Sequence, residues 1–139
     1  MKKYEEKFTV IGKFITAITV VLGIVEFLVL KDKVAVQWQG SIVSSIADKK
    51  IVLIFPIISI LTYFAGQSII QYIGLKWFGK VNQTIVVYIQ LLLLVLLLTC
   101  QLYIGLYSIG LRLTISGILV IELIVGIIIG IKINKEQRK

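Results

Sequence analysis

The sequence predicts an all-α integral membrane protein: an antiparallel four-transmembrane-helix bundle, both termini cytoplasmic, with a 20-residue outer loop between helices 1 and 2. Three observations predict it. Of 139 residues, 58% are hydrophobic, and the mean hydropathy is +1.01. A soluble fold of this size cannot hide so much apolar side chain, because its surface is too large for its volume. The apolar residues gather into four stretches of about 20, the length that crosses about 30 Å of hydrocarbon. The cations fall beside those stretches and unequally on their two sides. A single membrane domain over 1–139 is expected.

The first span is expected over about 8–30. Lys13 lies near its start, where a long stem lets the ammonium reach the headgroups. Its length, Glu26 within it and the lack of a small-x-small site argue against a cleaved signal peptide. The second is expected over about 51–73, with Pro56 in its first two turns, where proline is tolerated. The third covers about 84–107, around LLLLVLLL, and the fourth about 113–131. The links after the second and third spans are short, so consecutive helices turn back on one another. Only residues 31–50 form a long connection.

Orientation follows from the Lys and Arg counts. With the N-terminus inside, ten cations lie on the inner side, and five (Lys31, Lys33, Lys49, Lys50 and Arg112) on the outer. Trp77 and Phe78 then fall at the inner membrane edge, and Tyr103 and Tyr107 at the outer.

The net charge of +8 raises nucleic acid as a partner. No basic face with interleaved aromatics lies outside the apolar spans, so no nucleic-acid partner is expected. The lipid bilayer is the partner that the cation positions fit. There is no His, and Cys100 is the only cysteine. Internal disulfides, zinc sites and His-based catalysis therefore lack their residues, and no cofactor is expected.

Glu26 and Glu122 are the acids within the spans. A charged acid at mid-membrane costs roughly 2.5–3.5 kcal/mol, so such groups face the bundle interior and have a partner or a function. Two readings stand for each: a proton, cation or peptide site, or a structural acid. The structural reading is favoured, with Glu26 reaching Arg112, and Glu122 reaching Gln90, Gln101 or Thr99. Gln67, Ser68 and Gln71 are spaced to share a face of the second helix, as polar residues that join helices in lipid. Gly126 and Gly130, in GIIIG, have the spacing that lets helix backbones approach. That approach serves packing within the fold or between copies of a homo-oligomer.

In the outer loop, Val34, Val36 and Trp38 alternate with Ala35 and Gln37, which predicts a short extended segment with one apolar face. Gln39-Gly40-Ser41 is turn chemistry. The loop either tucks back onto the bundle or recognises something outside the cell. If it recognises, Val36, Gln37, Trp38, Gln39 and Asp48 are the candidate contacts.

The stretch LKDKVAVQWQGSIVSSIADKKIVLIFPIISILTY, residues 30–63, resembles the N-terminal domain of SdpI-like bacterial membrane proteins. Val34, Val36, Trp38, Lys49 or Lys50, and Pro56 match that domain's loop and second helix in kind and order. The family's His falls on Gln37, its Asn on Gln39, its Gly at or near Ile42, and a Pro on Lys31. The resemblance covers roughly the first half of the chain. It implies a membrane immunity protein in the bacterial plasma membrane. Such a protein binds a bacteriocin-like toxin peptide or shields the toxin's membrane target, and it is not an enzyme. With Gln37 in place of the His, the loop suits recognition better than catalysis. The alternative reading is a small membrane subunit of a transporter or export complex. GIIIG, the intramembrane acids and the polar residues of helix 2 motivate it.

Overall fold

A computed structural model describes residues 2–39, 42–111 and 113–139, without the side chains of Lys2, Val36, Trp38, Gln39 and Ser44. The chain is mostly helical. In order come α1 (Lys2–Val29), β1 (Lys33–Gln39), β2 (Ile42–Asp48), a 3-10 helix (Lys49–Leu53), α2 (Ile54–Phe78), α3 (Gln83–Ser108) and α4 (Ile115–Gln137). All four α-helices are long and apolar enough to cross a membrane, the architecture of a multi-pass membrane protein.

The helices extend past the apolar stretches. α1 begins six residues before its expected start, and α4 ends six residues after its expected end. Lys, Glu and Gln end a hydropathy run but not a helix, because their helix propensity is high. Contacts also hold these ends. Tyr4 Oη donates to Glu136 Oε2 at 3.3 Å, joining the two ends, and Ile133 is buried.

Local chemistry sets the other boundaries. Pro56 is the third residue of α2, where the missing N–H is one that a helix start leaves unpaired anyway. Gly79 closes α2 at φ 68°, its N–H bonded to the Leu75 carbonyl. The Asn82 side chain accepts from Thr84 N at 3.0 Å and caps α3.

α3 is the central helix. It packs against α1, α2, α4 and β1. Its N-terminal end meets that of α1, where Thr84 Oγ1 donates to Glu5 Oε1 at 3.0 Å. Farther along, α3 Gln101 meets α1 Glu26. α3 runs the other way beside α4, placing Tyr88 against Gly126 and Gly130 and Thr99 against Glu122. Most other large apolar side chains point outward: Phe64, Leu28 and Phe78 are between 73% and 83% exposed. Such surfaces suit hydrocarbon as their surroundings, and only the backbone has to be satisfied internally.

The connection between α1 and α2 corrects the expectation of a loop with one extended segment. It is an antiparallel hairpin followed by a turn of 3-10 helix, so the fold is not all-α. Lys33 pairs with Asp48, Ala35 with Ile46 and Gln39 with Ile42. Register shifts on both sides of Gln37 interrupt the ladder. They break the strict period-two alternation, as β-bulges do. Gly40 and Ser41, the expected turn, lie outside the described residues.

Candidate functional site

The hairpin is rooted rather than loose. Val34, Val52 and Ile104 form a buried cluster between β1, the 3-10 helix and α3, packed against Phe27 and Leu30. At the hairpin base, Lys49 N donates to the Asp32 carbonyl at 2.8 Å. The Lys49 ammonium lies 3.8 Å from the Asp32 carboxylate and 5.1 Å from the centre of the Phe27 ring. Asp48 Oδ1 accepts from Lys50 N at 3.0 Å and caps the 3-10 helix. Asp48 therefore has a structural task as well as an exposed position.

Part of the hairpin surface is open among the described residues. Lys33 and Gln37 are exposed, as are Ile42 at 74% and Ile46 at 64%. Neither isoleucine is among the candidate contacts, because in the sequence both read as ordinary apolar residues. Pairing sets them opposite Gln39 and Ala35. Of the candidate contacts, Val36, Trp38 and Gln39 contribute their backbone to β1, but their side chains lie outside the described residues.

Below the hairpin, polar side chains join the helices. Gln101 Nε2 donates to Glu26 Oε2 at 2.5 Å. A Cβ on Gly105, one turn farther along α3, would collide with the Glu26 carboxyl. The glycine makes room for the acid. Arg112, the expected partner of Glu26, lies outside the described residues. Glu26 Oε1 and Gln101 Oε1 are buried without a partner among the described residues. Thr99 Oγ1 donates to Glu122 Oε1 at 2.5 Å, linking α3 to α4.

Gln90 does not reach Glu122. Its Nε2 donates to the carbonyls of Thr62 at 2.9 Å and Tyr63 at 2.7 Å. Its Oε1 accepts from Gln67 Nε2 at 2.9 Å. Gln90 is thus the join between α2 and α3. The expected polar face of helix 2 reduces to Gln67, since Ser68 and Gln71 are exposed.

Gly126 and Gly130 serve packing within the chain. A Cβ on Gly126 would lie 2.7 Å from Leu92, and one on Gly130 would lie 3.1 Å from the Tyr88 ring. Tyr88 Oη donates to the Gly126 carbonyl at 2.7 Å. Tyr103 and Tyr107, in the last turns of α3, are buried against the protein. Their ring centres are 5.8 Å apart, and Tyr103 Oη donates to the Leu113 carbonyl. They close the link between α3 and α4, while Trp77 remains 75% exposed.

No family model matches this chain, and no curated protein or solved structure matches it either. What the arrangement can do follows from its own chemistry. Each intramembrane acid is tied to one donor on a neighbouring helix, and α3 contributes a donor to both. Among the described residues, no three His, Cys, Asp or Glu converge as a metal site. The Glu26 and Glu122 pairs hold helices together. The hairpin carries exposed polar and apolar side chains together.

Proposed function

We propose that this chain is a membrane immunity protein of a bacterial plasma membrane, protecting its cell from a bacteriocin-like toxin peptide. In this reading it is an antiparallel four-helix bundle with both termini cytoplasmic. The hairpin then stands on the outer face, where it binds the toxin or shields the toxin's membrane target. One observation carries the reading: the hairpin is anchored by Val34, Val52 and Ile104 while Gln37, Ile42 and Ile46 stay exposed. A fixed, mixed polar and apolar surface suits recognition of an amphipathic peptide, because little ordering remains to be done on binding. Protection by capture or shielding needs no catalytic group. The resemblance of residues 30–63 to the SdpI-like domain supports the same reading.

The test is expression in a susceptible Gram-positive host, followed by challenge with a panel of secreted bacteriocin-like peptides, any encoded beside the gene among them. Survival is expected. Unchanged killing despite confirmed membrane insertion would reject the proposal.

A second reading, a small membrane subunit of a transporter or export complex, is favoured by α4. Only Gly126 and Ile133 of α4 are buried, against ten residues of α3. A partner helix seated on that bare face would co-purify in mild detergent. Purification of the chain alone would remove this reading.

A further inference from the structure

A cleft of about 660 Å³ opens between α2 and α4, at the end of the molecule where α2 turns into α3. Its volume is that of a small-molecule site. The walls are apolar: Phe78 from α2, Val86 and Ile89 from α3, Ile127 and Ile131 from α4. The mouth is different. Lys80 and Arg138 stand there beside Asn82 and Asn134, and no acid lines the cleft among the described residues. Neither cation makes an ion pair among the described residues. The mouth also holds the N-terminal end of α3, whose dipole adds partial positive charge. A hydrogen bond fixes its shape, Asn82 Nδ2 donating to Gln137 Oε1 at 2.6 Å.

We infer that this cleft is a binding site for one anionic phospholipid. The acyl chains lie along the apolar walls, and the headgroup phosphate sits between Lys80 and Arg138. The argument is charge complementarity joined to amphipathic shape. A cation pair over a hydrocarbon-lined cleft matches a molecule with one anionic end and one greasy end. A peptide acid or a free phosphate uses the mouth but leaves the walls unfilled. The site bridges α2 to α4, which share no extensive packing of their own. The lipid thereby fastens the least buried helix to the rest of the molecule. This inference does not rest on the immunity reading, and with both termini inside it places the lipid in the inner leaflet.

The experiment uses the full chain in detergent, titrated with dioleoylphosphatidylglycerol, dioleoylphosphatidylcholine or glycerol 3-phosphate and followed by native mass spectrometry. One phosphatidylglycerol adduct is expected to saturate, with phosphatidylcholine at least about tenfold weaker and glycerol 3-phosphate unbound. The double variant K80Q/R138Q should weaken the adduct roughly 10- to 30-fold. K3Q/K7Q removes the same charge outside the cleft and should change it less than about twofold. Ile127→Trp, which fills the cleft without touching a charge, should also lose the adduct while the helical circular dichroism is kept. Equal binding of the two lipids, saturation by glycerol 3-phosphate, or equal losses in the two double variants would each overturn the inference.

Discussion

Gln101 and Glu26 sit on different helices and share a buried side-chain hydrogen bond, 2.5 Å from Nε2 to Oε2. Gln101 is fully buried and Glu26 is 5% exposed. A buried acid with one donor is stabilised by that donor, and removing the donor leaves an unsatisfied group. The pair works as a lock between α1 and α3, just below the cluster that roots the hairpin.

The lock is expected to behave asymmetrically. Gln101→Leu should destabilise the protein by about 1–3 kcal/mol, because it strands the Glu26 carboxyl. The double variant Q101L/E26L should recover part of that loss, since no polar group is then left unpaired. Thermal unfolding in detergent measures both. A double variant less stable than Q101L would count against the lock.

Close helix approach sets a second contrast. A Cβ on Gly23 would collide with the Pro56 ring, whereas one on Gly117 would meet nothing within 4 Å. Gly23→Val should cost roughly 1–3 kcal/mol through overpacking between α1 and α2. Gly117→Ala should be neutral or stabilising by up to about 1 kcal/mol, as expected when a helical glycine gains a methyl in open space. Melting temperatures of the two variants, measured side by side, decide this.

The glycines of GIIIG give the third expectation. Gly126 and Gly130 already face Leu92 and Tyr88 of the same chain. Gly126→Leu should therefore lower the melting temperature without changing the mass of the detergent-solubilised species. Tyr88→Phe, which loses the bond to the Gly126 carbonyl, should cost about 0.5–1.5 kcal/mol. Light scattering coupled to size exclusion reads the mass. A species that dissociates on Gly126→Leu would assign the motif to an interface between copies.

Hydropathy makes the four helices legible in the sequence, because the choice of solvent is written in composition and span length. It does not say which face of each helix packs inward, since apolar residues surround every helix. Polar residues supply that information only in part. Thr99 faces Glu122, as the sequence allows, but Gln90 turns to the α2 carbonyls rather than to Glu122. Gly105 carries no signal of its own until Glu26 is seen beside it. The hairpin was half legible. VAVQWQ alternates like a strand, but IVSSIA does not, and the register shifts around Gln37 belong to the pairing. The charged ends of α1 and α4 hid their helical state because charge ends a hydropathy run.

Hairpin variants separate anchoring from recognition. Val34→Asp puts a charge into the cluster with Val52 and Ile104, and should lower both stability and any protection. Gln37→Ala, Ile42→Ser and Ile46→Ser change only exposed positions, and each should leave the free energy of unfolding within about 0.5 kcal/mol of the parent.

The decisive measurement is survival of a susceptible host during exposure to the same panel of bacteriocin-like peptides, comparing the parent chain with the triple variant Q37A/I42S/I46S. The two are matched for membrane insertion and melting temperature. The parent should protect, and the triple variant should die at the rate of cells without the protein. Full protection by the triple variant would contradict a hairpin that binds or shields.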